Sequence, residues 1–389
     1  MNDQLTVSRE GSAARFSRII IPALMFQAVA IGGAYATGRE IIEFGASFGA
    51  LGWGAGAAMA VMGALLGYLV YETARKYQLF DYRSMSRHLI GRFFWMFDLV
   101  YIPFALTVLA VLCAATGDIL RDTLGLEPWV GVGAIIAITA IVIFKGANVI
   151  ERFNGIGTIL LMMGYVFFAL LVITTHWGNI TAVFSSGDHQ LKPDASLGDA
   201  MLLGAIYVGL GFVIYPSTLM TVRHLRTRTE TAIAAAFTGG LYVVPWFLTY
   251  FALMGFYPSG RIFDASVPWL AMLKTEPRWV VILYGVLVGW TLIATAVGLI
   301  QSVLVRIDQN VIESSGHPLA PRLRVLITLG VLLVSALLSQ FGIIDLISTG
   351  YLIGALALIV VFGIPLIFKG AKYFLPGSNG RATLSEETA

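Results

Sequence analysis

Near the N-terminus an apolar run is interrupted by glycines, in Ile31-Gly32-Gly33-Ala34-Tyr35-Ala36-Thr37-Gly38, and charged residues follow at once at Arg39, Glu40 and Glu43. Glycine inside a helix costs about 1 kcal/mol relative to alanine. The spacing therefore suits a helix that unwinds midway and leaves main-chain N–H and C=O groups bare. Close helix packing, which small residues also permit, is the alternative reading. A second stretch repeats the character: Tyr207-Val208-Gly209-Leu210-Gly211-Phe212-Val213-Ile214-Tyr215-Pro216-Ser217. Two such breaks could do one kind of chemistry together. Half-helix N-termini attract carboxylates, and carbonyls of unwound turns attract cations.

Charges inside apolar stretches are functional candidates by default. Arg39 and Glu43 are four apart and share a helix face, so they form either an interfacial ion pair or part of a gate. Glu40 and Asp98 are further intramembrane charges. Asp98 lies about two turns into its span, where it either takes a proton or pairs with a nearby Lys or Arg. Nothing points to catalysis. The five histidines, at 88, 176, 189, 224 and 317, fall in or beside polar loops without metal-ligand spacing. No glycine cluster ends in the Gly-Lys-Ser/Thr of a phosphate-binding loop. Cys113, the single cysteine, stands in an apolar stretch and excludes an intramolecular disulfide. The chain is read as no enzyme and as having no cofactor beyond a coupling ion.

The elements that must position these residues follow from composition. The chain has 389 residues, is 58% hydrophobic and only 12% charged, against about 25% charged in soluble domains. Mean hydropathy is +0.82. A helix needs about 20 apolar residues to cross a bilayer. Ten stretches qualify: 17–46, 50–75, 91–119, 129–147, 152–175, 199–222, 229–256, 279–308, 323–340 and 344–370. The run after Ile19 is read as the first of these and not as a cleaved signal peptide. Among the 25 Lys and Arg, only Arg121, Lys192, Arg261, Lys274 and Arg278 fall on one side and Arg39 within a span; all others fall on the opposite side. The positive-inside bias then puts both termini in the cytoplasm. A net charge of +3 gives no reason to expect a nucleic-acid partner, and no obligate protein partner is evident. Residues 1–16 form an inner N-terminal segment, 17–175 and 199–370 two five-helix repeats, and 176–198 an external loop. The polar tail 371–389 is expected to be disordered. The loops 176–198 and 257–278 are either capped by short surface helices or plain connectors.

The first break opens the first five spans and the second opens the next five. Because five is odd, the halves have opposite membrane orientation, the layout of an inverted repeat whose paired interruptions mark a binding site. With these features the chain resembles the LeuT-fold transporters of the amino acid–polyamine–organocation superfamily over about residues 17–370. The segment Gly32–Glu40 looks like the YkvI-type bacterial membrane proteins.

The resemblance implies a fold, a site and gates. The fold is all-α, integral to a bacterial inner membrane, with the first and sixth of ten helices broken. Solute would be lined by Gly32, Gly33, Ala34, Tyr35, Tyr207, Gly209, Gly211 and Phe212, with Tyr101 a weaker candidate. A sodium ion would sit among Val29, Gly32, Thr291, Ala294 and Thr295, although Ala294 lacks a hydroxyl that the pattern needs, and hard cations want oxygen ligands. Proton coupling through a fifth-helix lysine is not matched either, since 152–175 contains no Lys. An outer gate would join Arg39 to Asp345, and an inner gate would join Arg15 or Arg18 to Asp308. The function implied is ion-coupled symport, by sodium or proton, of a small amino-acid-like or nitrogenous solute. A channel or a solute sensor on the same fold is the alternative.

Overall fold

The computed structural model describes residues 12–30, 33–145, 162–317 and 319–370. Every regular element among them is helical, as lipid demands of a chain whose backbone must bond to itself. Eight helical spans among the described residues are long and apolar enough to cross a membrane: Ala46–Tyr77, Trp95–Leu124, Pro128–Lys145, Leu197–Val222, Arg228–Met254, Arg278–Asp308, Pro321–Phe341 and Ile343–Gly370. These match eight of the ten stretches read from the sequence. The other two are the first, which is divided, and the fifth, of which residues 152–161 lie outside the described residues.

The first span consists of α1 (Ser12–Ala30), α2 (Gly33–Thr37) and α3 (Arg39–Phe44). Ile31 and Gly32 lie outside the described residues. Among the described residues the span is divided at Gly38, whose φ of 83° is left-handed. L-residues with a Cβ avoid that region at roughly 1–2 kcal/mol. A 3-10 segment, Ala46–Gly52, kinked at Gly49, then leads into α4 (Trp53–Tyr77). An amphipathic helix, α5 (Tyr82–Ile90), is N-capped by the Asp81 carboxylate and leads into α6 (Trp95–Leu124) and α7 (Pro128–Lys145). The described part of the fifth stretch, α8 (Met162–Thr175), bends by 72° into α9 (Trp177–Ser186).

The sixth span is one continuous helical element with a changed bonding pattern at its centre. Helix α10 (Leu197–Tyr207) passes through a 3-10 turn at Val208–Leu210 into α11 (Gly211–Val222). Tyr207, Leu210 and Gly211 all keep right-handed helical dihedrals. The α-helical ladder is interrupted where the glycines predicted, but by tightening instead of unwinding. Helix α12 (Arg228–Met254) follows, then the short helices α13 (Gly260–Phe263) and α14 (Pro268–Leu273). With α9 they occupy the two long connectors, the capped version of the two readings. The 38-residue α15 (Arg278–Ser315) runs past its apolar stretch, and α16 (Pro321–Leu338) precedes the final span.

Small residues set how closely the spans pack. A Cβ on Gly239 of α12 would come within 2.6 Å of the Ala64 nitrogen on α4, so only glycine allows this crossing, the usual membrane solution. Helix α1 packs on α11 and α12, and α2 rests on α6, α14 and α15. The divided first span is thereby enclosed by the helices that supply its polar partners.

Candidate functional site

Dividing the first span leaves carbonyls without helical partners, and in lipid each must find another donor. Tyrosines from two other elements supply them. Tyr284 of α15 donates to the carbonyl of Ala36 at 3.0 Å. Tyr165 of α8 donates to the carbonyl of Tyr35 at 3.2 Å, which also accepts from the Gly38 amide at 3.1 Å. Tyr35 in turn reaches the carbonyl of Tyr242 at 3.3 Å. Tyr35, Tyr165, Tyr242 and Tyr284 are all buried. The short helix α2 is therefore held by phenols from neighbouring helices as well as by its own turn.

One end of this region is covered. Trp269 of α14 donates its indole N–H toward the Tyr165 hydroxyl at 3.1 Å and toward Thr249 at 3.2 Å, and Tyr165 and Thr249 are themselves hydrogen-bonded. A Cβ on Gly38 would lie 3.0 Å from the Trp269 ring. A small apolar cavity beneath is lined by Tyr165, Phe168, Trp269, Tyr284, Leu287 and their neighbour Val288, together with Gly164. Next to Gly38, Arg39 is paired with Glu43 and donates to the carbonyls of Phe263 and Ala265, the latter at 3.3 Å. The guanidinium thus ties the first span to the connector that carries α13 and α14.

Glu40 points the other way, into the bundle, and is only 6% exposed. It accepts a hydrogen bond from the Tyr207 hydroxyl of α10. The Tyr207 ring stacks on Tyr242 at 6.2 Å and packs on Phe44 at 4.8 Å. One carboxyl and one phenol thus join the first and sixth spans.

The expected gate pairs are not those that form. Arg39 meets Glu43, one turn along its own helix, while Asp345 at the start of the final span is exposed. Arg15 and Arg18 meet Glu230, at 3.5 Å and 2.8 Å. Glu230 lies in the first turn of α12, directly against α1. Asp308 is occupied by Arg324 and by the Leu319 amide at 2.6 Å, because the short connector after α15 folds back over it. Asp98 takes the pairing alternative, with Arg306 at 3.4 Å. Tyr101 belongs to that cluster and not to the tyrosines around the first span: the Arg306 guanidinium lies 3.3 Å above its ring and 4.2 Å above that of Tyr82.

The remaining candidates are placed as follows. Gly33 and Ala34 open α2. A Cβ on Gly209 would meet Ile359 at 2.7 Å and the Ala355 carbonyl at 2.8 Å; one on Gly211 would lie 3.3 Å from Phe26. Phe212 is buried against Phe362 and Tyr215. In this conformation the sixth-span glycines and Phe212 pack against neighbouring helices. Thr291 donates to the Leu287 carbonyl of its own helix at 3.0 Å, Ala294 and Thr295 are partly buried, and Val29 is exposed.

Sequence reasoning passed over Tyr165, Tyr242, Tyr284, Trp269 and Glu230. A usable signal existed for the tyrosines: a phenol deep in an apolar span needs a partner for its hydroxyl.

A divided first span, a sixth span that changes its helical bonding, and a bundle of apolar spans around them make up the fold of helical membrane transporters, the fold class read from the sequence. The chain resembles solved structures of a manganese transporter from Eremococcus coleocola. For one mutant of it the TM-score is 0.62 at 12% identity, covering 94% of this chain and 81% of that one. For its complex with an aromatic bis-isothiourea substituted compound the TM-score is 0.59 at 15% identity, covering 94% and 83%. The chain also resembles a Na+-coupled sialic acid symporter in a substrate-bound, outward-open state, with a TM-score of 0.54 at 12% identity over 92% of this chain and 85% of that one. No family model and no curated relative matches in sequence.

Proposed function

We propose that this protein is a secondary active transporter that moves a small amino-acid-like or other nitrogenous solute by ion-coupled alternating access. It would work as a multi-pass protein of a bacterial inner membrane with both termini in the cytoplasm. The observation that carries the reading is the divided first span, whose carbonyls at Tyr35 and Ala36 are met by Tyr165 and Tyr284. Those bonds can be exchanged for bonds to a solute as the helices part, so one set of groups serves both the closed and the loaded protein. The faces of Tyr207 and Tyr242 favour an organic ammonium group through cation–π attraction.

Gly32, Gly33, Ala34, Tyr35 and Tyr207 are proposed to line the solute path, with Gly209, Gly211 and Phe212 joining it when the sixth span moves. Arg39 is the outer gate, working through Glu43 and the α13–α14 connector, and Arg15 and Arg18 with Glu230 are the inner one. Sodium among Val29, Gly32, Thr291, Ala294 and Thr295 is one candidate coupling ion. The family proposed is the amino acid–polyamine–organocation superfamily, nearest its YkvI-type members, on the Gly32–Glu40 segment.

A thermal-shift screen of the purified protein against amino acids and amines, with and without sodium, tests this. At least one solute should raise the midpoint, and Gly33→Leu should remove that shift while the protein still inserts. Wild-type affinity in Gly33→Leu would overturn the site.

A further inference from the structure

Glu40 has no role in the gates. It is buried in α3, a carboxyl group in the middle of a helical bundle. A buried carboxyl group either has a cation beside it or takes up a proton, because an isolated charge there is very costly. The cation next to it in sequence, Arg39, is taken by Glu43 and by the carbonyls of Phe263 and Ala265.

The groups around Glu40 are neutral phenols. Helix α3 packs against α2, α10, α12, the 3-10 turn Ala46–Gly52 and the Leu346–Tyr351 segment of the final span. From these come Tyr35, Tyr207, Tyr242 and Tyr351, and Tyr165 of α8 also lies within electrostatic range. The 3-10 turn carries no titratable side chain. Asp345, on the final span, is exposed. Tyr207 donates to the Glu40 carboxyl. The Tyr351 hydroxyl is buried and has no hydrogen-bond partner among the described residues.

We infer that Glu40 is a proton-binding site joining the first and sixth spans, and that release of its proton accompanies their separation. This rests on the transporter reading and names its coupling ion. In the closed state the carboxyl is neutral and bonded to Tyr207. When the spans part, water reaches it, the proton leaves to solvent, and the carboxylate is hydrated. Tyr207 keeps its own proton throughout, so one proton is bound and released per cycle.

The test is an infrared pH titration of the purified protein in lipid nanodiscs, which needs no solute and so stands apart from any transport result. A protonated-carboxyl band should be present at mildly acidic pH and disappear toward alkaline pH. It should be missing in Glu40→Gln, remain in Glu43→Gln, and shift its midpoint in Tyr207→Phe, which keeps the ring and removes the hydroxyl. Spin labels on α3 and α10 in a Cys113→Ser background should separate as the band disappears in wild type and stay close in Glu40→Gln. A band unchanged in Glu40→Gln, or a band that titrates while the label distance stays fixed, would overturn the inference. Should Glu40→Gln fail to fold, the Tyr207→Phe midpoint decides: an unmoved midpoint also overturns it.

Discussion

Tyr284 donates its hydroxyl to the carbonyl of Ala36 at 3.0 Å, across 248 residues of sequence. The bond satisfies a carbonyl at the end of a short helix that does not continue in α-helical form, because Gly38 takes the left-handed conformation immediately after it. Tyr284→Phe should therefore lower stability by about 0.6 kcal/mol, the average for hydrogen bonds between membrane helices, and by no more than about 1.7 kcal/mol. Tyr165→Phe should cost more, since its hydroxyl also meets Thr249 and Trp269. Melting of the purified variants in lipid checks both; equal stability to wild type would contradict the account.

Gly38 is needed for its backbone, and its neighbour Trp269 leaves no slack. Gly38→Ala should destabilise by about 1–2 kcal/mol from conformation alone. Contact with the Trp269 ring at 3.0 Å adds to that. Gly289→Ala is the control, because a Cβ there meets nothing within 4 Å. It should melt at or slightly above wild type.

The N-terminal half of α1, at the end proposed to face the cytoplasm, is fastened to α12 by Arg18 and Glu230 at 2.8 Å. Glu230→Gln leaves both guanidinium groups without their anion. In a Cys113→Ser background, a cysteine at Phe26 should then react faster with a membrane-impermeant thiol reagent added from the cytoplasmic side. An unchanged labelling rate would remove Glu230 from the inner gate.

Gly209 lets the sixth span lie against the final one. Gly209→Ala puts a methyl group where Ile359 and the Ala355 carbonyl already sit, and such overpacking costs typically 1–3 kcal/mol. A stability loss without loss of membrane insertion, measured by melting and by expression in the membrane fraction, is the expected result.

The helical membrane architecture was legible because it depends on one-dimensional quantities. Apolar length and charge spacing located eight spans that the structure repeats, and the glycines of 31–38 and 207–211 marked two of the places where α-helical bonding changes, though not the π-helical segments Leu346–Tyr351 and Ile359–Gly363 of the final span. The pairing of Arg39 with Glu43 was legible as one of two readings, because the two stand four apart on one helix face. The partners of Arg15, Arg18 and Asp308 were not legible, because the pairings with Glu230 and Arg324 are made by how helices cross and how connectors fold. The rigid use of Gly209 and Gly211 was hidden for the same reason: a glycine that frees a backbone and one that admits a neighbour look alike in sequence. The tyrosine cradle needed only a different question, namely where each buried phenol sends its hydroxyl.

The central claim is that the first and sixth spans part alternately to either side around a bound solute. Counterflow in proteoliposomes tests it most directly: vesicles are preloaded with each member of a panel of amino acids and amines, and entry of the labelled compound is followed. At least one compound should enter in a saturable way and faster when the unlabelled form is inside. Flux that rises linearly with concentration and ignores the internal solute would contradict alternating access and point to a channel.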